Sequence, residues 1–197
     1  MTTIIPAAIR TPFLAIPVLI LLLLTSSPVR AVDLNERIEV CTGCHGENGL
    51  PTQPDIPIIW GQQFYYLYTQ LKDYKAGRRD SEFMTDIVRD LTKEEMQELA
   101  QYFSEKNWPS NGFRAHDGDI TSAEKSATAG MCVQCHLGGY EGSSRVPRLA
   151  GQQPAYLERT MLEFKDKIRT NDSAKASLLA TYDQADIGAL ARYLAGF

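Results

Sequence analysis

Apolar residues follow two different patterns along this chain. Near the N-terminus they form one uninterrupted run, Phe13 to Leu24, of twelve apolar residues including one proline. A membrane-spanning helix needs about 20 apolar residues, so this run is too short for a span. It follows the single charge of Arg10 and precedes small residues, Val29 and Ala31, at the −3 and −1 positions of a cleavage site. This arrangement predicts a secretory signal peptide at residues 1–31, with an uncleaved N-terminal anchor as the alternative.

After residue 31 the apolar residues recur with the period of an α-helix. Leu34, Ile38 and Cys41 lie at i, i+4 and i+7 and predict a first helix that ends in the sequence CTGCH. A second apolar stripe stops at Gly77, as expected when a glycine ends a helix. The residues of that stripe are Phe64, Leu67, Tyr68, Leu71 and Tyr74. A less regular copy of it contains Tyr156, Met161, Phe164 and Ile168.

Capping residues mark the starts of further helices. Thr92 with Glu95 has the pattern of a capping box, and so has Thr121 with Glu124. Asp183 opens the final apolar segment. No stretch alternates between apolar and polar residues as a half-buried strand does, so the predicted fold class is all-α.

The second half of the chain repeats the first. Two cysteine pairs, Cys41/Cys44 and Cys132/Cys135, lie 91 residues apart. The segments PIIWGQQFYYL and PRLAGQQPAYL repeat at an offset of 90, and LAQYF and LARYL repeat at 91. So regular an internal repeat indicates two homologous domains.

The predicted boundaries place the first domain at 32–105 and the second at 120–197. The segment 106–119 is rich in Pro, Gly, Asn and Asp and is predicted to be the linker. Each domain is expected to hold three to four short helices around a covalently bound group. A unit of about 80 residues has little apolar core of its own and usually needs such a staple.

The net charge and its distribution limit the classes of partner that the protein can bind. The net charge of −4 becomes −6 when Arg10 and Arg30 leave with the signal peptide, and no basic patch predicts nucleic-acid binding. Residues 32–106 hold 14 acidic and 8 basic residues, a net charge of −6, whereas residues 107–197 hold 10 of each. We expect the acidic first half to attract positively charged docking surfaces, or to serve solubility alone.

A histidine follows each cysteine pair directly, giving CTGCH with His45 and CVQCH with His136. C-x-x-C-H is the attachment signature of c-type haem, in which two thiols add across the vinyl groups and the histidine binds the iron. A disulfide would not explain the histidines, and zinc-binding pairs lie closer than the 88 residues that separate Cys44 from Cys132. A thioredoxin-type redox pair needs a strand–helix–strand context, which this sequence does not have. The motif therefore predicts two haem c groups, bound by Cys41, Cys44, Cys132 and Cys135.

Two prolines follow the histidines at similar distances. Pro57 is 12 residues after His45, and Pro147 is 11 residues after His136. A backbone carbonyl at that place can accept the second N–H of the histidine and fix the ring. A plain turn proline is the alternative interpretation.

These motifs together resemble a known family. CHGENG, the long GQQ-containing segment and LAQYF are similar to a class I cytochrome c domain, and their tandem repetition resembles the dihaem cytochrome c4 family. The resemblance covers essentially the whole chain after residue 31. It implies a bacterial periplasmic electron-transfer protein with two all-helical domains that face each other across a pseudo-twofold axis. It also implies Met84 as the axial methionine of the first haem.

The second copy has no methionine at the matching place. Counting forward from GQQ aligns Met84 with Ala174, whereas counting back from the last helix aligns it with Lys175. Lys175 is the residue of SAKAS with a strong donor atom for iron, and burial near iron favours its neutral amine. We predict Lys175 as the sixth ligand. A solvated lysine beside a five-coordinate or water-ligated haem is the alternative.

The remaining candidate residues are expected to be structural. Met96 and Met161 lie on apolar stripes and are predicted core residues. His116 is predicted to be a solvated linker histidine. Aromatic residues near GQQ could shield a haem edge but are expected to fill the core; they are Trp60, Tyr65 and Tyr66.

These observations favour a periplasmic electron carrier and not an enzyme. Its expected partners are redox proteins, a dehydrogenase or an oxidase, and it is expected to meet a membrane only through partners or an uncleaved N-terminus. The alternative is a dihaem enzyme, peroxidase-like or oxidising sulfur compounds, that uses an open second haem. A non-redox module held by metal or disulfides is a third hypothesis.

Overall fold

Helices are the regular secondary structure of the chain in its described part, residues 1–3 and 33–197 of a computed structural model. The sequence therefore predicted the all-α class correctly. The predicted signal peptide and its cleavage point at residue 31 lie outside the described residues, apart from residues 1–3. No helix in the described segments combines the length and the apolarity that a membrane span needs.

The first copy of the repeat contains four helices. They are α1 (Leu34–His45), α2 (Phe64–Lys75), α3 (Met84–Val88) and α4 (Lys93–Ser104). The second copy contains five: α5 (Asp117–Ala129), α6 (Cys132–His136), α7 (Pro154–Lys165), α8 (Ser173–Leu179) and α9 (Gln184–Ala195). Helix α2 packs on α3 and α4, and α7 packs correspondingly on α8 and α9.

Local signals placed the helix ends of the first copy correctly. CTGCH forms the last turn of α1, which ends at His45. The α2 stripe ends at Lys75, and Gly77 follows in the left-handed region with φ 67°. Thr92 and Glu95 exchange both hydrogen bonds of a capping box at the start of α4. The core of this copy includes Met96, which is 5% exposed, as predicted.

The start of the second copy differs from the prediction. The capping box predicted at Thr121 and Glu124 is wrong, because the N-cap of α5 is His116, five residues before Thr121, and the Thr121 hydroxyl donates to the Asp117 carbonyl inside the helix. The additional turn is stabilised by Asp119, which accepts two hydrogen bonds from Arg192 of α9 at 2.8 and 2.9 Å. The helix-free connection is therefore 105–116, and the predicted linker 106–119 ran three residues into α5.

The helix that carries the second cysteine pair is interrupted. Helix α5 ends at Ala129, and CVQCH forms the separate short helix α6. Met131, between the two helices, has a left-handed backbone with φ 51°. In the first copy the corresponding chain is one continuous helix.

The two copies contact each other through buried glutamine side chains. Gln62 of the first copy bonds both the N–H and the carbonyl of Arg148, at 2.8 and 3.0 Å. Gln152 of the second copy bonds both backbone groups of Ile58 in the same way, at 2.7 and 2.9 Å. Since Arg148 follows Ile58 by 90 residues, as Gln152 follows Gln62, these contacts are reciprocal. They agree with a pseudo-twofold arrangement.

Candidate functional site

His45 occupies the buried end of α1. His45 is 7% exposed, and its Nδ1 lies 2.8 Å from the carbonyl oxygen of Pro57. Burial lowers the pKa of His45, and the Pro57 carbonyl opposes that shift only in part. A neutral imidazole that donates from Nδ1 keeps the Nε2 lone pair available for a metal ion.

His136 has the same arrangement in the second copy. Its Nδ1 lies 2.9 Å from the carbonyl oxygen of Pro147. Burial lowers its pKa, and the nearby charge of Lys175 lowers it further. Both proline-carbonyl contacts that the sequence predicted are therefore confirmed.

Each cysteine pair presents one residue to the interior and one to the surface. Cys41 and Cys132 are partly buried and pack against the apolar cores, whereas Cys44 and Cys135 are exposed. Burial raises the pKa of the Cys41 thiol to about 11 and also raises that of Cys132. No disulfide joins the four cysteines, all of which lie in residues 33–197.

The side chains that could bind a metal ion are dispersed in the described part of the chain. Within the described residues, no three side chains of the His, Cys, Asp and Glu types come together as a metal-binding group. A structural zinc site would need four such ligands. Haem iron needs only one histidine and one further ligand from the protein, and each copy contains the histidine of a C-x-x-C-H motif.

Met84, the predicted sixth ligand of the first site, lies at the edge of the first core. It starts α3, is partly buried, and packs against the same core cluster as Cys41. Ser81 helps to fix this turn, because its hydroxyl accepts from the Met84 backbone N–H at 3.3 Å. The thioether and the first cysteine pair thus border one apolar cluster.

The core packing favours an offset of 91 at the matching place in the second copy. Val88 at the end of α3 is fully buried, and Leu179, 91 residues later, is 8% exposed, whereas Leu178 at an offset of 90 is 39% exposed. Lys75 bonds the Leu91 carbonyl, and its counterpart Lys165 bonds the Tyr182 carbonyl, which also lies 91 residues after Leu91. At this offset Met84 corresponds to Lys175 and not to Ala174.

Lys175 lies in α8 and approaches the core of the second copy. Its Nζ is 3.2 Å from an Asp172 carboxylate oxygen and 5.6 Å from the centre of the Phe164 ring. Its side chain is 30% exposed. Its positive charge is one of the causes that lower the pKa of His136, after burial.

The other candidates occupy structural positions. Met161 is partly buried and packs between the two core clusters of the second copy. His116 is exposed and precedes the first residue of α5 without a side-chain capping bond. Trp60 packs against the first core, whereas Tyr65 is 54% exposed.

The buried polar groups test whether a haem fits. Arg79 and Arg169 are 6% and 4% exposed, and both donate to Gln70 Oε1, at 2.9 and 2.8 Å. Nη1 of Arg169 and Nε1 of Trp60 are buried without a hydrogen-bond partner among the described residues. Buried donors of this kind need an acceptor, and haem propionates are carboxylates that could supply one. The donor set therefore fits two haem groups.

Local sequence patterns do not predict these interface residues. Gln62, Gln152, Arg79 and Arg169 make their contacts across the two copies, over separations of 77 to 99 residues. The exact repetition of GQQ at an offset of 90 was the available signal. It indicated homology, but it did not indicate that each glutamine bonds the opposite copy.

Comparison with curated proteins finds similar chains. Cytochrome c4 of Stutzerimonas stutzeri is 30% identical over 180 residues, which cover 81% of this chain and 85% of that protein. Cytochrome c4 of Azotobacter vinelandii is 29% identical, covering 80% and 84%. A thiosulfate dehydrogenase electron acceptor of Thiomonas intermedia is 29% identical over 143 residues, covering 67% and 65%. None of the protein-family models searched matches the chain.

Solved structures show the same fold. Reduced recombinant cytochrome c4 from Pseudomonas stutzeri superposes with a TM-score of 0.74 at 28% identity, covering 84% of this chain and 99% of that one. Cytochrome c4 of Acidithiobacillus ferrooxidans gives a TM-score of 0.72 at 26% identity, covering 80% and 98%.

Proposed function

The chain belongs to the cytochrome c4 family of dihaem c-type cytochromes that transfer electrons, and from this premise we propose that it is a periplasmic electron carrier and not an enzyme. The observation that carries the proposal is the duplicated site. In each copy a C-x-x-C-H motif ends in a histidine whose Nδ1 is held by a proline carbonyl at 2.8 or 2.9 Å. Such a fixed ring suits electron transfer, which needs little rearrangement around the metal.

Each haem, when bound, supplies an iron that alternates between the ferrous and ferric states. We propose that the two thiols of each motif attach one haem and that the histidine binds its iron. The attaching residues would be Cys41, Cys44, Cys132 and Cys135, with His45 and His136 as proximal ligands. Met84 would be the sixth ligand in the first domain, residues 32–105.

In the second domain, predicted at 120–197, we propose Lys175 as the sixth ligand. The 91-residue register and the partly buried position of Lys175 support this proposal. Its partner Asp172 would have to release the amine for ligation. Lysine in place of methionine would lower the potential of the second haem relative to the first, since methionine ligation raises it.

An enzyme remains the second candidate function, and the missing methionine is the observation that favours it. A haem without a sixth protein ligand would have an open position for a small substrate. Peroxidase-like chemistry or the oxidation of sulfur compounds would then be possible at the second haem.

The relative from Thiomonas intermedia is named as the electron acceptor of a thiosulfate dehydrogenase. By analogy, we propose that this protein accepts electrons from a periplasmic dehydrogenase and passes them to another redox protein. Export would depend on the predicted signal peptide at residues 1–31.

One experiment tests these points together. Purified holoprotein should show two haems added to a chain that starts near Val32, as measured by intact mass. An optical and EPR redox titration should give two low-spin haems that are unchanged by cyanide or azide. A high-spin band that shifts with azide would contradict the Lys175 assignment and favour the enzyme.

A further inference from the structure

One peptide group stands between His45 and the opposite domain. Its carbonyl, from Pro57, lies 2.8 Å from His45 Nδ1. Its N–H, from Ile58, donates to Gln152 Oε1 at 2.7 Å. The histidine of the first copy is therefore linked to a side chain of the second copy through a single amide.

The second copy has the reciprocal link. The peptide group between Pro147 and Arg148 accepts from His136 at 2.9 Å and donates to Gln62 Oε1 at 2.8 Å. Each proximal histidine is thus connected to a glutamine from the opposite copy.

Both glutamines are held in one orientation. Gln152 is 2% exposed, and its Nε2 donates to the Ile58 carbonyl while its Oε1 also accepts from the Gln153 N–H. Gln62 is 3% exposed and makes the equivalent bonds. Because the side-chain amide donates and accepts on the same partner residue, exchanging its oxygen and nitrogen would break both bonds.

We propose that Gln152 tunes the reduction potential of the first haem and that Gln62 tunes that of the second, each acting as a positioning residue across the domain interface. This inference rests on the proposed ligation by His45 and His136. An acceptor on the N–H of an amide polarises the group and makes its carbonyl a stronger acceptor. The histidine N–H is then held more strongly, the imidazole becomes a more basic ligand, and the ferric state is stabilised.

We call the chain of hydrogen bonds from glutamine through the peptide group to the histidine the relay. The relay also makes the reduction potentials depend on the contact between the domains. If the two domains separated, both peptide groups would lose their glutamine partners. Both potentials would then rise together. Domain contact would therefore influence the potential of each haem through the hydrogen bond of its proximal histidine.

The test uses full-length holoprotein with Gln152→Met or Gln62→Met, which keep side-chain volume but remove the acceptor. Gln152→Met should raise the potential of the first haem and leave the second nearly unchanged, and Gln62→Met should do the reverse.

We expect the electron-exchange equilibrium between the haems to change roughly two- to fivefold. This is less than the 10- to 100-fold loss of metal affinity or activity that follows mutation of a residue bonded directly to a metal ligand. Redox titration followed by NMR separates the two haems, since the Met84 methyl resonance identifies the first.

The matched control is Gln63→Met. Gln63 also bonds across the interface, to the Glu141 and Gly142 carbonyls at 3.0 and 3.3 Å. The peptide group between Glu141 and Gly142 reaches only the backbone carbonyl of His136, through the Gly142 N–H at 2.9 Å, and not an imidazole ring. It should move neither potential. Equal shifts at both haems in all three variants would show general loosening of the interface and overturn the relay.

A conservative variant separates the acceptor from packing. Gln152→Glu keeps an acceptor oxygen whether or not the carboxyl is ionised, so it should not raise the first potential. A rise equal to that of Gln152→Met would overturn the proposal, and so would no shift in either Met variant. The haem count and spin states of the unmodified protein test the proposed function separately. Failure of the relay is therefore distinguishable from failure of the haem assignment.

Discussion

The two copies share a fold but differ in the backbone around their cysteine motifs. In the first copy every described residue with positive φ is a glycine, and three of these are Gly46, Gly49 and Gly77. In the second copy the corresponding positions hold Leu137, Tyr140 and Lys167, and their φ values are also positive, at 67°, 54° and 58°. The same chain path is thus relaxed in one copy and strained in the other.

The strain in the second copy is concentrated at its histidine. Leu137 directly follows His136 and has φ 67° and ψ 171°, a region that is essentially restricted to glycine and costs about 1–3 kcal/mol. On the preceding side, Met131 interrupts the helix that is continuous in the first copy. The comparison teaches that a repeat can keep its topology while one copy holds its haem motif in a higher-energy backbone.

Removing one attachment site should have the largest effect. Replacing Cys41 and Cys44 with Ala should eliminate one haem and unfold the first copy, since a unit of about 80 residues depends on its haem as core. The matched change at Cys132 and Cys135 should do the same to the second copy. Intact mass and circular dichroism measure the two outcomes. A double variant that keeps both haems would contradict the assignment.

Changing the sixth ligand should have the next largest effect. Lys175→Met would make the second site resemble the first, and we expect its potential to rise toward that of the first haem. Lys175→Ala should produce a high-spin second haem. EPR and redox titration of both variants provide the measurement. If neither variant changes the spectrum or the potential of the second haem, lysine is not the ligand.

Relieving the strain at Leu137 should stabilise the second copy. Leu137→Gly removes a side chain that is 39% exposed and releases about 1–3 kcal/mol of backbone strain. The opposite change, Gly46→Leu, should be strongly destabilising, because a Cβ at Gly46 would lie too close to the backbone of Leu50. Denaturant unfolding of the two variants compares them directly. A less stable Leu137→Gly protein would show that the side chain contributes more than the backbone costs.

A milder version of the same comparison uses the ends of α2 and α7. Gly77→Lys should cost about 1 kcal/mol, since a Cβ there meets no neighbouring atom and only the positive φ is unfavourable. Lys167→Gly at the exposed counterpart should gain a similar amount. Thermal unfolding can resolve both changes. Shifts of the same sign in the two variants would rule out backbone conformation as their cause.

The difference in net charge between the two copies should have the smallest effect. The first copy has a net charge of −6 in residues 32–106, and the second is neutral. Electron transfer with a basic partner protein should therefore slow as ionic strength rises, because salt screens the attraction. Stopped-flow rates across a salt series measure this effect. Rates that stay constant would leave the acidic surface with a role in solubility only.

Local chemistry explains which features the sequence could predict. The cysteine–histidine motifs, the capping box at Thr92 and the proline carbonyls depend on neighbours within about a dozen residues. The start of α5 was mispredicted because Arg192, 73 residues away from Asp119, stabilises a turn that the local pattern does not require. The roles of Gln62 and Gln152 depend on a partner in the opposite copy, and no local pattern encodes that contact. Positive φ at Leu137 is likewise imposed by the surrounding fold.

The reciprocal glutamine contacts join two similar halves of a single polypeptide in a nearly symmetric pair. In an assembly of two identical subunits, every substitution would alter both sites at once, and a tuned difference between them could not arise. The connection through residues 105–116 removes that constraint. One half can exchange its methionine for another residue while the other half preserves it. Because the two halves are covalently fused, a nearly twofold structure can hold two different sites, and electrons can favour one site over the other.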